Sequence, residues 1–263
     1  REIEYRSRSS VNDVDEGPEL YSISRSTDTP QIDFVSILSG IVRLVGESDA
    51  LPKSVSVKAF DMAKYPVVNA DFQRFVMAPD GYANPSWWQY SDRSCHWFEE
   101  HPLAVSSCFP DERTPRENVS WYAAVAFCLW LGHRLGRRVQ LPTFSHWFRA
   151  AQGDDGRLFP WGDQFESDRC NTRESRFRRT TPVDCYRDGI SPYGVFDMAG
   201  NVWEWCSDGS RTEDILSGEM VRKRAVVGGS YLSPLERSQV GYRCFLHPNT
   251  VAGSIGFRVI CVD

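Results

Sequence analysis

No apolar run in the 263-residue sequence approaches the roughly 20 residues that cross a bilayer, so no membrane segment is expected. There is no basic field over the chain as a whole: the net charge is −5, which gives no general reason to bind nucleic acid or an anionic membrane. The eight cysteines include no C-x-x-C pair and are too few for a disulfide scaffold. Cys128 and Cys206 sit in apolar surroundings and read as small buried hydrophobes, which favours a cytoplasmic setting. Internal repeats and low-complexity blocks are missing too. The sequence opens at Arg1 without Met or a signal-like segment, so a fragment or processed form is expected.

What is present is a core-forming chain, 41% hydrophobic with nine Trp. Residues 1–40 are expected to be an N-terminal arm or linker, polar over the first 30 or so, and 41–263 a single domain. Alternation predicts strands over 40–45 and 54–60. Phe72, Phe75 and Val76 share a helical face behind Asn69, a candidate N-cap. Ser120 is positioned to cap a helix from Trp121 to about Leu131, with Trp121, Ala124, Val125, Cys128 and Leu129 as its apolar stripe and Gly132 and Gly136 ending it. A short helix is predicted from about Phe144 to Gln152. Beyond it, frequent Gly, Pro and Asp leave little room for regular structure.

Seven motifs then occur in order: YPVVNADFQRF (65–75), NVSWYAA (118–124), LPT (141–143) with Trp147, FPWG (159–162), YGVFDMAGNVWEW (193–205), GGSY (228–231) and GFR (256–258). The series resembles the formylglycine-generating enzyme, or sulfatase-modifying factor, superfamily. The resemblance implies an α+β, C-type-lectin-like fold with low regular secondary-structure content, over roughly 41–263. Fold does not settle function.

The enzymes of that family oxidise a substrate Cys with a pair of thiols that hold copper(I), five residues apart after the GGS-aromatic motif. Those positions fall on Ser233 and Ser238 here. A hydroxyl is a hard, weakly acidic donor and cannot replace a thiolate on that ion, so copper is not expected and no catalytic residue is assigned. Cys244 stands alone beyond the pair. The resemblance admits calcium as a cofactor on a loop formed by Asp197, Gly200, Val202 and Glu204, since hard oxygen donors suit that ion. The bland reading is a core loop pinned by Asn201, Trp203 and Glu204 without metal. A second calcium site survives only as Asn171. Cys95, His96, His101 and Cys108 match no standard zinc spacing. The arginines at 169, 173, 176, 178 and 179 read as a solvated or partner-facing loop, not a nucleic-acid site.

Between GGSY and IGFR, residues 228–258 carry a filling with no structural period. The frame resembles that of the variable proteins of diversity-generating retroelements, whose lectin-like domains are rewritten at adenine positions near the C-terminus. Leu232, Ser233, Leu235, Phe245, Leu246, Asn249, Thr250, Val251, Ala252, Gly253 and Ser254 are all residue types that adenine-directed change of an Asn-type codon can produce. They are the candidate ligand contacts, and apolar Leu232, Leu235, Phe245 and Leu246 are expected on an exposed face. The expected function is therefore recognition of a protein or other macromolecule, without a reaction. Two rivals stay open: an enzyme of this fold with an unlocated site, and a regulatory or structural module attached to a signalling domain.

Overall fold

Among the described residues, three of the four α-helices start at a side-chain hydroxyl. The computed structural model describes residues 29–44, 53–213 and 220–262. Ser91 caps α2 (Asp92–Glu100), Ser120 caps α3 (Trp121–Leu135) and Thr143 caps α4 (Phe144–Gln152), each accepting a backbone N–H three residues on. The exception is α1 (Asn69–Met77), which follows Val68 without a side-chain cap. Asn69 is its first residue, and the side chain turns away to donate to the carbonyls of Phe109 and Asp111 and to Thr114 Oγ1. The predicted cap is thus a tie to a distant loop.

The longest helix runs past its expected end. Gly132 lies inside α3 because a Cβ there would come within 2.8 Å of the Arg137 carbonyl, a close approach to the following turn. Gly136, at φ +63°, makes the actual stop. The stripe is also broader than a single face: Ala123, Ala126, Phe127, Trp130 and Leu131 are buried, whereas Leu129 is exposed. Phe72, Phe75, Phe127 and Trp130 interlock around it, and Phe257 joins them with its ring centroid 5.3 Å from that of Phe127. A second core surrounds α4 through Trp147, Met62, Met198 and Ile260.

Ten strands complete the described part of the domain. β1 (Phe34–Ile37), β4 (Phe60–Ala63), β10 (Ile260–Cys261) and β5 (Val139–Gln140) form one antiparallel sheet in the order β1-β4-β10-β5. β2 (Gly40–Leu44) pairs with β3 (Lys53–Val57) alone. A second four-stranded sheet has the order β8-β7-β6-β9, from β6 (Trp203–Glu213), β7 (Met220–Val227), β8 (Arg243–Leu246) and β9 (Ile255–Phe257). The strand expected over 54–60 is two strands, with Phe60 opening β4. The arm expected over 1–40 is too long: residues 34–37 pair along β4, with Phe34 opposite Ala63, so they belong to the domain. Among the described residues no helix is long and apolar enough to cross a membrane.

Candidate functional site: a buried frame and its filling

The site begins with a parallel pair. β9 runs beside β6 so that Trp203, Glu204 and Trp205 face Ile255, Gly256 and Phe257. This places Arg258, one residue on, against Glu204. Both side chains are essentially inaccessible to water. Arg258 Nε and Nη2 donate to the Glu204 carboxylate at 2.8 and 2.7 Å, while Nη1 reaches the carbonyls of Ala63 and Lys64 and Nη2 also that of Phe196. All five guanidinium N–H groups find acceptors, the condition under which a buried charge is tolerated. Trp147 Nε1 adds a donor to Glu204 at 2.8 Å.

At the other end of the frame Gly228 and Gly229 take φ of +85° and +73°. A Cβ on Gly229 would lie 2.6 Å from Ser238 Oγ, so the double glycine lets Ser238 fold back beneath the turn. Ser233 closes that turn: its N–H donates to the Ser230 carbonyl at 2.8 Å and its Oγ accepts from the Ser230 N–H at 3.0 Å. Both positions that the resemblance gives to catalytic thiols are therefore buried hydroxyls. Cys244 is half-buried on β8 opposite Val226, with its thiol pKa pushed up by burial. Cys261 lies in the other sheet. The segment holds neither a thiol pair nor an activated thiolate.

The filling is less exposed than its composition suggests. Leu232 is 55% exposed and Asn249 is also at the surface, where it bonds the neighbouring His247. Ser233, only 4% exposed, is part of the turn and not a contact residue. Leu235, Phe245 and Leu246 are half-buried, which corrects the exposed face expected for them. Phe245 packs on the α4 core, and Leu246, Val251 and Ala252 pack on the α3 core, because β8 borders β7 and its alternating side chains meet one core on each face. Thr250, Gly253 and Ser254 are also half-buried.

What holds this filling is its backbone. The carbonyls of Ser233, Pro248, Ala252 and Ser254 accept from the backbone N–H groups of Arg173, Trp121, Asn118 and Trp203, at 2.8 to 3.1 Å. The Gly253 carbonyl accepts from Tyr231 Oη at 3.2 Å. Sequence reading missed these partners, which come from four separate places in the chain. The arginine-rich loop is one of them: besides the Arg173 N–H, Glu174 Oε1 accepts from the Leu235 N–H.

The four calcium candidates lie together on one buried loop. Glu204 has both carboxylate oxygens occupied by Arg258 and Trp147. Asp197 is buried and accepts from Asn201 Nδ2 at 2.8 Å, and burial pushes its pKa up to about 7. Gly200 and Val202 could offer an ion only their backbone carbonyls, since the Gly200 N–H donates to the Gly228 carbonyl and the Val202 side chain is core. The loop is pinned by Asn201, whose amide bridges Asp197 and Thr181 and whose Oδ1 meets Asn171 Nδ2. Asn171 serves in the same network. Of the upstream candidates, His96 is exposed beside Glu99 and Glu100, and His101 stacks on Trp97 at 3.8 Å. Among the described residues no His, Cys, Asp and Glu converge as a metal site.

The fold and frame together define a domain of the formylglycine-generating-enzyme type, a branch of the C-type-lectin-like fold. The chain belongs to the sulfatase-modifying factor enzyme 1-like domain family, whose model matches residues 21–262. It is similar to the formylglycine-generating enzyme of Streptomyces coelicolor, 34% identical over 219 residues covering 72% of this chain and 67% of that protein. It is 27% identical over 245 residues to the inactive C-alpha-formylglycine-generating enzyme 2 of Bos taurus, covering 78% of each. Treponema denticola variable protein 1 shares the fold, with a TM-score of 0.62 at 21% identity, over 87% of this chain and 94% of that one.

Proposed function

We propose that the chain is a binding protein, not an oxidase, and that it displays a diversified C-terminal segment of the retroelement variable-protein type. The observation that carries this reading is the backbone tether. A segment whose carbonyls supply its attachments can change side chains without losing its place, which is what diversification demands of a scaffold. The buried frame of Glu204 and Arg258 supplies the rigid support. Two buried serines at the thiol positions argue against copper oxidation, and a relative described as inactive shows that this family includes members without that activity. The ligand is a protein or another macromolecule, met by Leu232, Asn249 and the half-buried positions around them.

The test is to sequence the 3′ end of the gene and its flanks across many cells of the source population. Variation confined to codons between Tyr231 and Ile255, with an adenine-rich near-copy nearby, is expected. An invariant segment without a template copy, together with conversion of a Cys peptide to the aldehyde by the copper-loaded protein, would return the chain to the enzymes of its family.

A further inference from the structure

A cleft of about 510 Å³ lies where the N-terminal ends of α2 and α3 approach β7. Its size is within the range of about 300–1,000 Å³ usual for small-ligand sites. Three arginines line it, Arg93 in the first turn of α2 and Arg222 and Arg224 on β7, and no carboxylate is among its described lining residues. Such a concentration of positive charge stands out on a chain of net charge −5. Ser91, the cap of α2, and Trp121 and Tyr122, the first two residues of α3, form the rest of the wall. Two helix dipoles thus present their positive ends at its border.

Arg224 is held in a fixed attitude. Its guanidinium carbon sits 3.8 Å from the centre of the Trp121 ring, and Nη1 donates to the Ser207 carbonyl at 2.7 Å. Its Nε is buried with no hydrogen-bond partner. Burial and then the charge of Arg222 hold the Arg224 pKa below the ordinary arginine value, so the positive charge there is incompletely compensated. Arg93 and Arg222 are exposed and able to close on a ligand.

We infer that this cleft is an oxyanion site that takes a phosphate group, with Arg224 as the fixed fork and Arg93 and Arg222 as clamps. Guanidinium forks match the paired oxygens of phosphate, and two helix ends favour the same sign of charge. A single concave pocket suits one phosphate or phosphate ester and lacks the track of charges that a polynucleotide backbone would use. Pro248 contributes to the wall, so a bound ester would lie beside the C-terminal segment. The inference does not rest on that segment being variable.

Calorimetric titration with inorganic phosphate and with phenyl phosphate, at constant ionic strength made up with chloride, tests it. Saturable binding of either to the wild-type protein is expected. Equal affinity assigns free phosphate, and tighter binding of phenyl phosphate assigns an ester whose ring meets the aromatic wall. The double variant Arg93→Ala/Arg222→Ala should bind at least tenfold more weakly. Its melting temperature without phosphate should be unchanged, because both side chains are exposed. Arg224→Lys, which keeps the charge and loses the fork, should also weaken binding. Titrations that never saturate, or a folded double variant with wild-type affinity, would overturn the site.

Discussion

The frame and the filling of the C-terminal segment are neighbours in sequence and opposites in construction. Arg258 and Glu204 are held by side chains: a two-point ion pair, a tryptophan and three carbonyls, all out of water. Residues 232–254 are held largely by main-chain carbonyls, and their side chains range from exposed Leu232 through half-buried Phe245 to buried Val240. The first arrangement admits almost no substitution, since loss of either partner strands a buried charge. The second fixes the path of the chain and leaves side-chain identity comparatively open. One domain can therefore be rigid in architecture and permissive at its surface.

The sharpest break of that contrast is Arg258→Met, which leaves Glu204 buried without its partner. It should cost about 3–5 kcal/mol in urea unfolding, the usual consequence of breaking a buried pair. A loss below about 1 kcal/mol would mean that the frame is not what holds the segment.

Next comes Asp197, which belongs to the frame and accepts a hydrogen bond from Asn201 Nδ2. Its pKa is raised from 3.8 to about 7 in the folded protein, chiefly by burial. The folded state therefore binds the proton more tightly than the unfolded chain between those values. The stabilisation is full below about pH 4 and is lost as pH rises through 7. Between pH 5 and pH 8 this group should remove on the order of 2–3 kcal/mol of stability. Asp197→Asn should flatten that part of the profile. Asp71, raised to about 6 by burial, contributes in the same direction and remains in the variant. Calcium and chelator should leave the Asp197→Asn and wild-type melting temperatures equally unmoved.

The frame was largely legible in the sequence and the filling was not, for a physical reason. WEW, GGSY and IGFR carry residue types with few alternatives: a paired buried charge, glycines at positive φ, aromatics at fixed spacing. Caps such as Ser120 and Thr143 announce their helices because the hydrogen bond is local. Asn69 misled because its side chain bonds residues 40 and 42 positions away. Strand β1 escaped notice because its pairing partner β4 lies beyond a hairpin. In the filling, exposure could not be read from apolar type alone. Phe245 faces the α4 core only because β8 borders β7, and that pairing leaves no period in four residues.

Phe245 tests the border between the two regions. It is half-buried against the α4 core, so Phe245→Ala should cost about 1–2 kcal/mol, less than the about 3–5 expected of a fully buried Phe. A change under about 0.5 kcal/mol would place it with the freely variable positions, and one above about 3 would make it part of the frame.

The smallest effect separates scaffold from contact surface most cleanly. Leu232→Ser and Asn249→Ala, made together, remove the two most exposed side chains among the candidate contacts and touch none of the carbonyls that anchor the segment. Substitutions of this kind usually change stability by no more than about 0.5 kcal/mol. Unfolding by urea should therefore be almost superimposable on that of the wild type. Binding should not be, since truncating an exposed apolar contact and a polar one alters what the segment offers a partner. Capture of a partner by the wild-type domain, compared with capture by this doubly substituted one, gives the readout. Retained stability with lost capture would locate recognition on the filling. Retained capture would move the contact surface elsewhere on the domain, because by then the frame, the tether and the fold would all be known to be intact.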